Sequence, residues 1–262
     1  MKAVVFDMDG VVYNAESPIP GAAGTVSWLR EQNVPVLFLT NTSSTTRAAL
    51  VKKLARFEIS AGIEDIFSPP SAAAEWLRTH GEPGSVALFV REAAVPEFHG
   101  LELLPDTAES GARYVVVGDL EEEWNFHSIN RAFRLLYSNP EAELIALGMT
   151  RYWRGPTGLQ LDVAPFVTAL EHAVQRQAIV FGKPGEPFFR AAVEKLGVKP
   201  AEVLMVGDDI EVDVGAAQMA GLKGALVKTG KFREADLDRP VRPYLIFESI
   251  AELPEWWQRL KR

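Results

Sequence analysis

Ala3-Val4-Val5-Phe6-Asp7-Met8-Asp9-Gly10 opens with an apolar run the length of a buried parallel strand and closes on two carboxylates two residues apart. Three later stretches repeat the pattern: Val36 to Leu39 leads to Thr40, Ala178 to Phe181 leads to Lys183, and Val203 to Val206 leads to Asp208. Each run reads as a strand inside a sheet. Ligands of open α/β sheets bind outside the carboxyl ends of the strands. The four polar endings are therefore expected to converge on one rim, which is the candidate active site.

Between these strands the chain carries helical patterns. Gly21 to Glu31 lies between the first two, and Leu50, Leu54 and Phe57 mark one face of a helix that Ser43, Ser44 or Thr45 is placed to cap. Beyond Lys183 a helix begins near Pro187, shows Phe189, Val193 and Leu196 on one side, and stops at Gly197; Gly221 is placed to close the next. Strand and helix alternate at both ends of the chain, the pattern of a doubly wound parallel sheet.

A middle segment from about Ser71 to Arg176 interrupts them with its own apolar runs, Val86 to Val90, Tyr114 to Val117 and Leu144 to Leu147. Ile129, Phe133 and Leu136 stripe its main helix, Asn139-Pro140 stops it, and Gly155-Pro156-Thr157-Gly158 reads as a turn between two extended pieces. The expected organisation is a Rossmann-like core of residues 1–70 and 177–262 with a second α/β domain, 71–176, inserted in it. Ser249 and Glu252 have capping-box spacing for a last helix bearing Trp256 and Trp257, which pack the terminus or, alternatively, make a homo-oligomer contact.

Composition narrows the chemistry. With 262 residues, 47% hydrophobic and 24% charged, the chain can build a sizeable core, and a net charge of -8 argues against general nucleic-acid binding. The absence of cysteine excludes disulfides, thiolate catalysis and cysteine-ligated zinc. His80, His99, His127 and His172 are scattered without a zinc-binding spacing. No apolar stretch approaches the roughly 20 residues of a membrane span, and Asp7 and Asp9 interrupt the start before any leader-like run. A soluble, cytoplasmic protein without membrane partners is expected.

Asp7 and Asp9, just past a strand, are two close anions that a divalent cation would compensate, and Mg²⁺ suits carboxylate, water and phosphate oxygens. Asp7, already ionised, can attack phosphorus; Asp9 can protonate the leaving oxygen and later deprotonate water. Gly207-Asp208-Asp209-Ile210-Glu211-Val212-Asp213 adds four acids in seven residues. By position Asp208 is a direct metal ligand and Asp213 a group that orients waters or neighbours behind it. Lys183 offers charge to phosphoryl oxygens, and Thr40 and the Asn41 backbone offer hydrogen bonds, with a helix cap at Thr40-Asn41-Thr42-Ser43 as the competing reading.

Asp7-Met8-Asp9-Gly10-Val11-Val12, Thr40-Asn41, Gly182-Lys183-Pro184 and Gly207-Asp208-Asp209 with Asp213 together resemble the motifs of the haloacid dehalogenase superfamily. The size and place of the insert are similar to the class IIA arrangement with a C2-type cap. The resemblance implies Asp7 as nucleophile, Asp9 as acid/base with its main-chain carbonyl on Mg²⁺, Thr40 and Lys183 at the phosphate, and Asp208 as metal ligand supported by Asp213. It also implies that the cap selects a small phosphorylated substrate. Arg151, Tyr152, Trp153 and Arg154 are the cap candidates, with Arg151 and Trp153 taken as substrate-binding; an ordinary hairpin with alternating faces is the competing reading. A phosphomutase or phosphotransferase, a phosphoacceptor signalling module and a noncatalytic phosphate-binding protein are the alternatives to a phosphatase.

Overall fold

The structure is a computed structural model that describes residues 1–155 and 158–260. The chain begins with β1 (Ala3–Asp7), the short β2 (Tyr13–Asn14) and β3 (Ser17–Pro18), α1 (Ala22–Glu31), β4 (Val36–Leu39), α2 (Arg47–Arg56) and β5 (Ile66–Phe67). Next come α3 (Pro69–Thr79), β6 (Ser85–Phe89), β7 (Ala112–Val117), α4 (Phe126–Tyr137), β8 (Glu143–Ala146), β9 (Tyr152–Gly155), β10 (Gly158–Leu161), α5 (Val163–Val174) and β11 (Ile179–Val180). It closes with α6 (Glu186–Leu196), β12 (Val203–Gly207), α7 (Ala216–Met219), β13 (Lys223–Val227), β14 (Leu245–Phe247) and α8 (Leu253–Leu260). These elements fall into two compact units: Met1–Thr40, Arg47–Phe67 and Phe189–Arg262 make the first, Asn41–Thr46 and Ser68–Phe188 the second.

The first unit is built on a six-stranded sheet of order β14-β13-β12-β1-β4-β5. Every pair is parallel, so the connections cross over through helices. β1, β4 and β12 are buried at every position, which is why their sequences are continuous apolar runs rather than alternating ones. Phe6 and Phe38 meet with ring centroids 6.1 Å apart, in a core that also holds Leu29, Leu54 and Trp257. The terminal tryptophans pack the carboxyl end, Trp257 in the core and Trp256 edge-on to Phe247. The expected capping box forms differently. Ser249 Oγ accepts from Ala251 N at 3.1 Å, but Glu252 takes the Glu248 N–H at 3.2 Å, one residue earlier than a box requires, because the first turn, Ile250–Glu252, is 3₁₀.

The second unit has a four-stranded parallel sheet, β11-β8-β7-β6, and an antiparallel hairpin of β9 and β10. Helix starts follow local chemistry: Ser68 caps α3 ahead of Pro69-Pro70, Asn125 accepts from His127 N and Ser128 N, and Asp162 caps α5. Phe89, Val115, Leu135, Leu144 and Val167 lie in its core. The Gly155–Gly158 turn expected from sequence has Pro156 and Thr157 outside the described residues, while its flanks pair from Tyr152↔Leu161 to Gly155↔Gly158.

One expectation fails here. The Ala178 to Phe181 run forms β11, whose Ile179 and Val180 pair with Ile145 and Ala146 at the edge of the second sheet, not in the first. A short apolar run specifies a buried strand but not its sheet. Three polar endings thus share one sheet and the fourth belongs to the other. Among the described residues, no helix is long and apolar enough to cross a membrane.

Candidate active site

β12, β1 and β4 are consecutive in the first sheet, with Phe6 opposite Val206 and Asp7 opposite Leu39. That register carries Asp7, Thr40 and Asp208 to the same carboxyl edge. All three are buried, as is Asp213, and the carboxylates of Asp7, Asp208 and Asp213 each bring an oxygen within 4.8 Å of the others. Asp213 reaches this group on a wide π-type turn, Ile210–Gly215. Asp209 holds the turn: its carboxylate accepts from Glu211 N and Val212 N at 3.0 Å, and its N–H donates to Asp213 Oδ2 at 3.1 Å. Glu211 points to Arg239. Of the four acids in this stretch, then, two join the site, one builds the turn and one is paired at the surface.

Sequence reasoning from residue types missed a third wall. The loop after β13 donates Lys231 N to Asp208 Oδ2 at 2.7 Å, and Thr229 Oγ1 donates to Gly10 O. Two glycines are required for the approach. A Cβ on Gly10 or on Gly230, both at positive φ, would stand 2.1 Å from Asp208 Oδ2. The signal was available, since Ala225-Leu226-Val227 is another apolar run ending in polar residues, but its contribution is a backbone N–H rather than a charged side chain.

Asp7 and Asp9 differ in burial. The strand ends at Asp7; Asp9 follows in the Gly10 turn, exposed, and its carboxylate accepts from Ala15 N at 3.3 Å. It stands outside the group of three. In the second unit, Asn41 and Lys183 meet through two hydrogen bonds, Lys183 N to Asn41 Oδ1 at 2.7 Å and Asn41 Nδ2 to Lys183 O at 2.8 Å. One side chain thereby clamps the backbone just beyond β11, and Lys183 is only 4% exposed. Arg151 and Trp153 are exposed on or beside the β9–β10 hairpin, with the Arg151 guanidinium 5.8 Å from the Tyr152 ring.

Three buried carboxylates at this spacing repel one another unless a cation or protons compensate them. An all-carboxylate oxygen donor set suits a hard divalent ion such as Mg²⁺ better than a soft transition metal. The residues therefore fit the group that the sequence implied.

Residues 4–103 match the model of the haloacid dehalogenase-like hydrolases, and residues 180–253 match a second, HAD-hydrolase-like model. Haloacid dehalogenase-like hydrolase domain-containing protein 2 of Bos taurus is 39% identical over 253 residues, 95% of this chain and 93% of that protein. This chain belongs to the haloacid dehalogenase-like hydrolase family. Another member, the phospholysine phosphohistidine inorganic pyrophosphate phosphatase of Xenopus laevis, is 37% identical across 92% of this chain and 88% of its own. Among solved members, p-nitrophenyl phosphatase from Archaeoglobus fulgidus superposes with a TM-score of 0.85 at 28% identity, covering 97% of this chain and 98% of that one. The enzyme is a phosphatase of this haloacid dehalogenase-like family, with its α/β architecture.

Proposed function

We propose that this phosphatase hydrolyses a small phosphorylated metabolite with Mg²⁺, through a phosphoryl group held transiently on Asp7. The observation that carries the reading is the cluster of Asp7, Asp208 and Asp213 at the carboxyl edge of the first sheet. Mg²⁺, when bound by Asp7, Asp208 and the Asp9 main-chain carbonyl, neutralises the carboxylates and the phosphate they must receive. Asp213 orients this group from the π-type turn.

An Asp7 oxygen attacks phosphorus, and the bond to the leaving oxygen breaks as Asp9 supplies its proton. Asp9, exposed and ionised after that transfer, takes a proton from water, whose oxygen displaces Asp7 and releases phosphate. Thr40, the Asn41 backbone and Lys183 serve the phosphoryl oxygens by hydrogen bonding and charge, the largest contribution open to a protein in phosphoryl transfer. Residues 1–70 and 177–262 act as the catalytic core, and residues 71–176 as the cap whose Arg151 and Trp153 take part in substrate choice.

The test is phosphate release from an aryl phosphate with Mg²⁺, abolished by EDTA and reduced by a factor of roughly 10³ or more in Asp7→Asn. A phosphoryl adduct on Asp7 is expected in rapidly quenched wild-type protein. Undiminished turnover by Asp7→Asn would falsify the mechanism.

A further inference from the structure

The second unit contains a cavity of 530 Å³ that the phosphoryl chemistry does not use, lined by Asp119, Glu121, Glu122, Trp124, Trp153 and Phe166 among others. Its volume is in the range of small-molecule sites, roughly 300–1,000 Å³. Its aromatic lining is Trp124, Phe166 and Trp153. Trp124 stacks on Phe166 with centroids 4.7 Å apart and planes 13° from parallel, and its indole N–H is already given to Gly118 O at 3.1 Å. Trp124 also lies parallel to Phe89, with centroids 5.9 Å apart, so it backs the wall as a buried ring, and the exposed Trp153 is the aromatic group open to a ligand.

The remaining wall is anionic. Glu121, held at a φ of 47°, is paired with Arg91 at 2.5 Å, which leaves the Asp119 and Glu122 carboxylates as the net charge of the lining. No Lys or Arg side chain lines the cavity among the described residues. Nor do its carboxylates converge as metal ligands do, since the group around Asp7 is the one such cluster among the described residues. Separated carboxylates beside aromatic faces fit a ligand with delocalised or apolar-skirted positive charge, which gains from both the ring quadrupole and the charge.

We propose that this cavity binds an organic cation, an ammonium or guanidinium group on a short apolar body. The neutral isostere of such a ligand loses both attractions and keeps only its apolar burial. The two sources of this chemistry are the unreacting end of a phosphorylated amine, which rests on the phosphatase reading, and a free amine, which does not.

The experiment titrates the full-length protein, saturated with Mg²⁺, with n-pentylammonium and with n-pentanol by calorimetry and tryptophan fluorescence. Pentylammonium is expected to bind at least about tenfold more tightly than pentanol. Glu122→Gln should weaken pentylammonium by about tenfold, and Trp153→Ala by about threefold to thirtyfold with partial recovery in Trp153→Phe. Glu141→Gln, which removes an equal charge just ahead of β8, at the end of that strand opposite the cavity, should bind as wild type. Competitive inhibition of aryl phosphate turnover marks the substrate's own end as the source, and binding without inhibition marks a separate amine. Equal affinity for amine and alcohol, or wild-type affinity in both Glu122→Gln and Trp153→Ala, overturns the site. A protein that binds pentylammonium but releases no phosphate refutes the reaction and leaves the site standing.

Discussion

Replacing Gly10 by alanine tests whether the two loops around Asp208 are as tightly fitted as the structure indicates. The new methyl carbon would lie 2.1 Å from Asp208 Oδ2 and 2.7 Å from its Cγ, at a residue with φ +82°. An unstrained carbon–oxygen contact is roughly 3.3 Å, so the carboxylate oxygen must retreat by about 1 Å. That oxygen accepts from Lys231 N at 2.7 Å, and the retreat takes it out of hydrogen-bond range. Loss of a hydrogen bond to a charged acceptor costs about 1.5–3 kcal/mol. The left-handed backbone adds about 1–2 kcal/mol for any residue with a Cβ. Gly10→Ala is therefore expected to lose about 2.5–5 kcal/mol.

Gly197 supplies the reference. It lies in the same unit at φ +65°, and a methyl carbon added there would meet nothing within 4 Å, so Gly197→Ala carries the backbone cost alone. Urea denaturation of the two variants without Mg²⁺ isolates the crowding term as their difference, about 1.5–3 kcal/mol. Calorimetric Mg²⁺ titration should show at least about a tenfold affinity loss in Gly10→Ala and none in Gly197→Ala. Equal destabilisation of the two variants, with Mg²⁺ affinity unchanged in both, would refute the claim that the Gly10 turn shapes the Asp208 carboxylate.

Asn41→Ala removes both hydrogen bonds to the Lys183 backbone and should cost about 2 kcal/mol in urea denaturation, with kcat/KM for an aryl phosphate reduced at least about tenfold. Asn41→Asp keeps the acceptor for Lys183 N but not the donor to Lys183 O, and should fall between; an alanine variant indistinguishable from wild type in both assays removes the clamp. Asp162 gives a pH dependence: burial foremost, and the nearby Asp119 charge, raise its carboxyl above 3.8 in spite of the Val163 N–H that it caps. A raised acid favours the fold in its neutral form, so that stabilisation is complete below 3.8 and is lost as pH rises through the elevated value. Asp162→Asn keeps the cap without the charge, so its melting temperature should exceed that of wild type near neutrality and match it in acid; parallel melting curves across that interval would contradict the assignment.

The parts of this fold legible in the sequence were those where one residue type has one physical use. Val4, Phe6, Phe38 and Leu204 sit in unbroken apolar runs because both faces of a parallel sheet are covered, and the acids at 7 and 208 come at the ends of such runs. Less legible were features that depend on a partner far along the chain. Ile179 and Val180 would suit any buried parallel edge, and only the open side of β8 decides their sheet. Gly230 and Lys231 act on Asp208 through backbone atoms and Thr229 on the Gly10 carbonyl through a neutral hydroxyl, so no charged side chain announces them. Asp9 looked equivalent to Asp7 because a strand period of two assumes that the strand continues; the backbone leaves it after Asp7.

Both sheets place their reactive groups at the same end, and their geometry explains why. At the amino edges, charged residues are consumed as structural pairs, Lys2 with Glu202 in the first unit and Arg113 with Glu82 and Glu143 in the second. At the carboxyl edges, each strand turns into a loop before its crossover helix, and the loops of neighbouring strands are brought together by a register that holds them within one residue of level. In the first unit that edge collects Asp7, Thr40, Asp208 and the Thr229–Lys231 loop. In the second it collects Asp119 to Trp124 after β7 and Lys183 after β11. Substitutions of the polar side chains in either set should therefore change ligand affinity more than stability, and those at the amino edges the reverse, a division that follows from the parallel sheets themselves and not from the identity of the substrate.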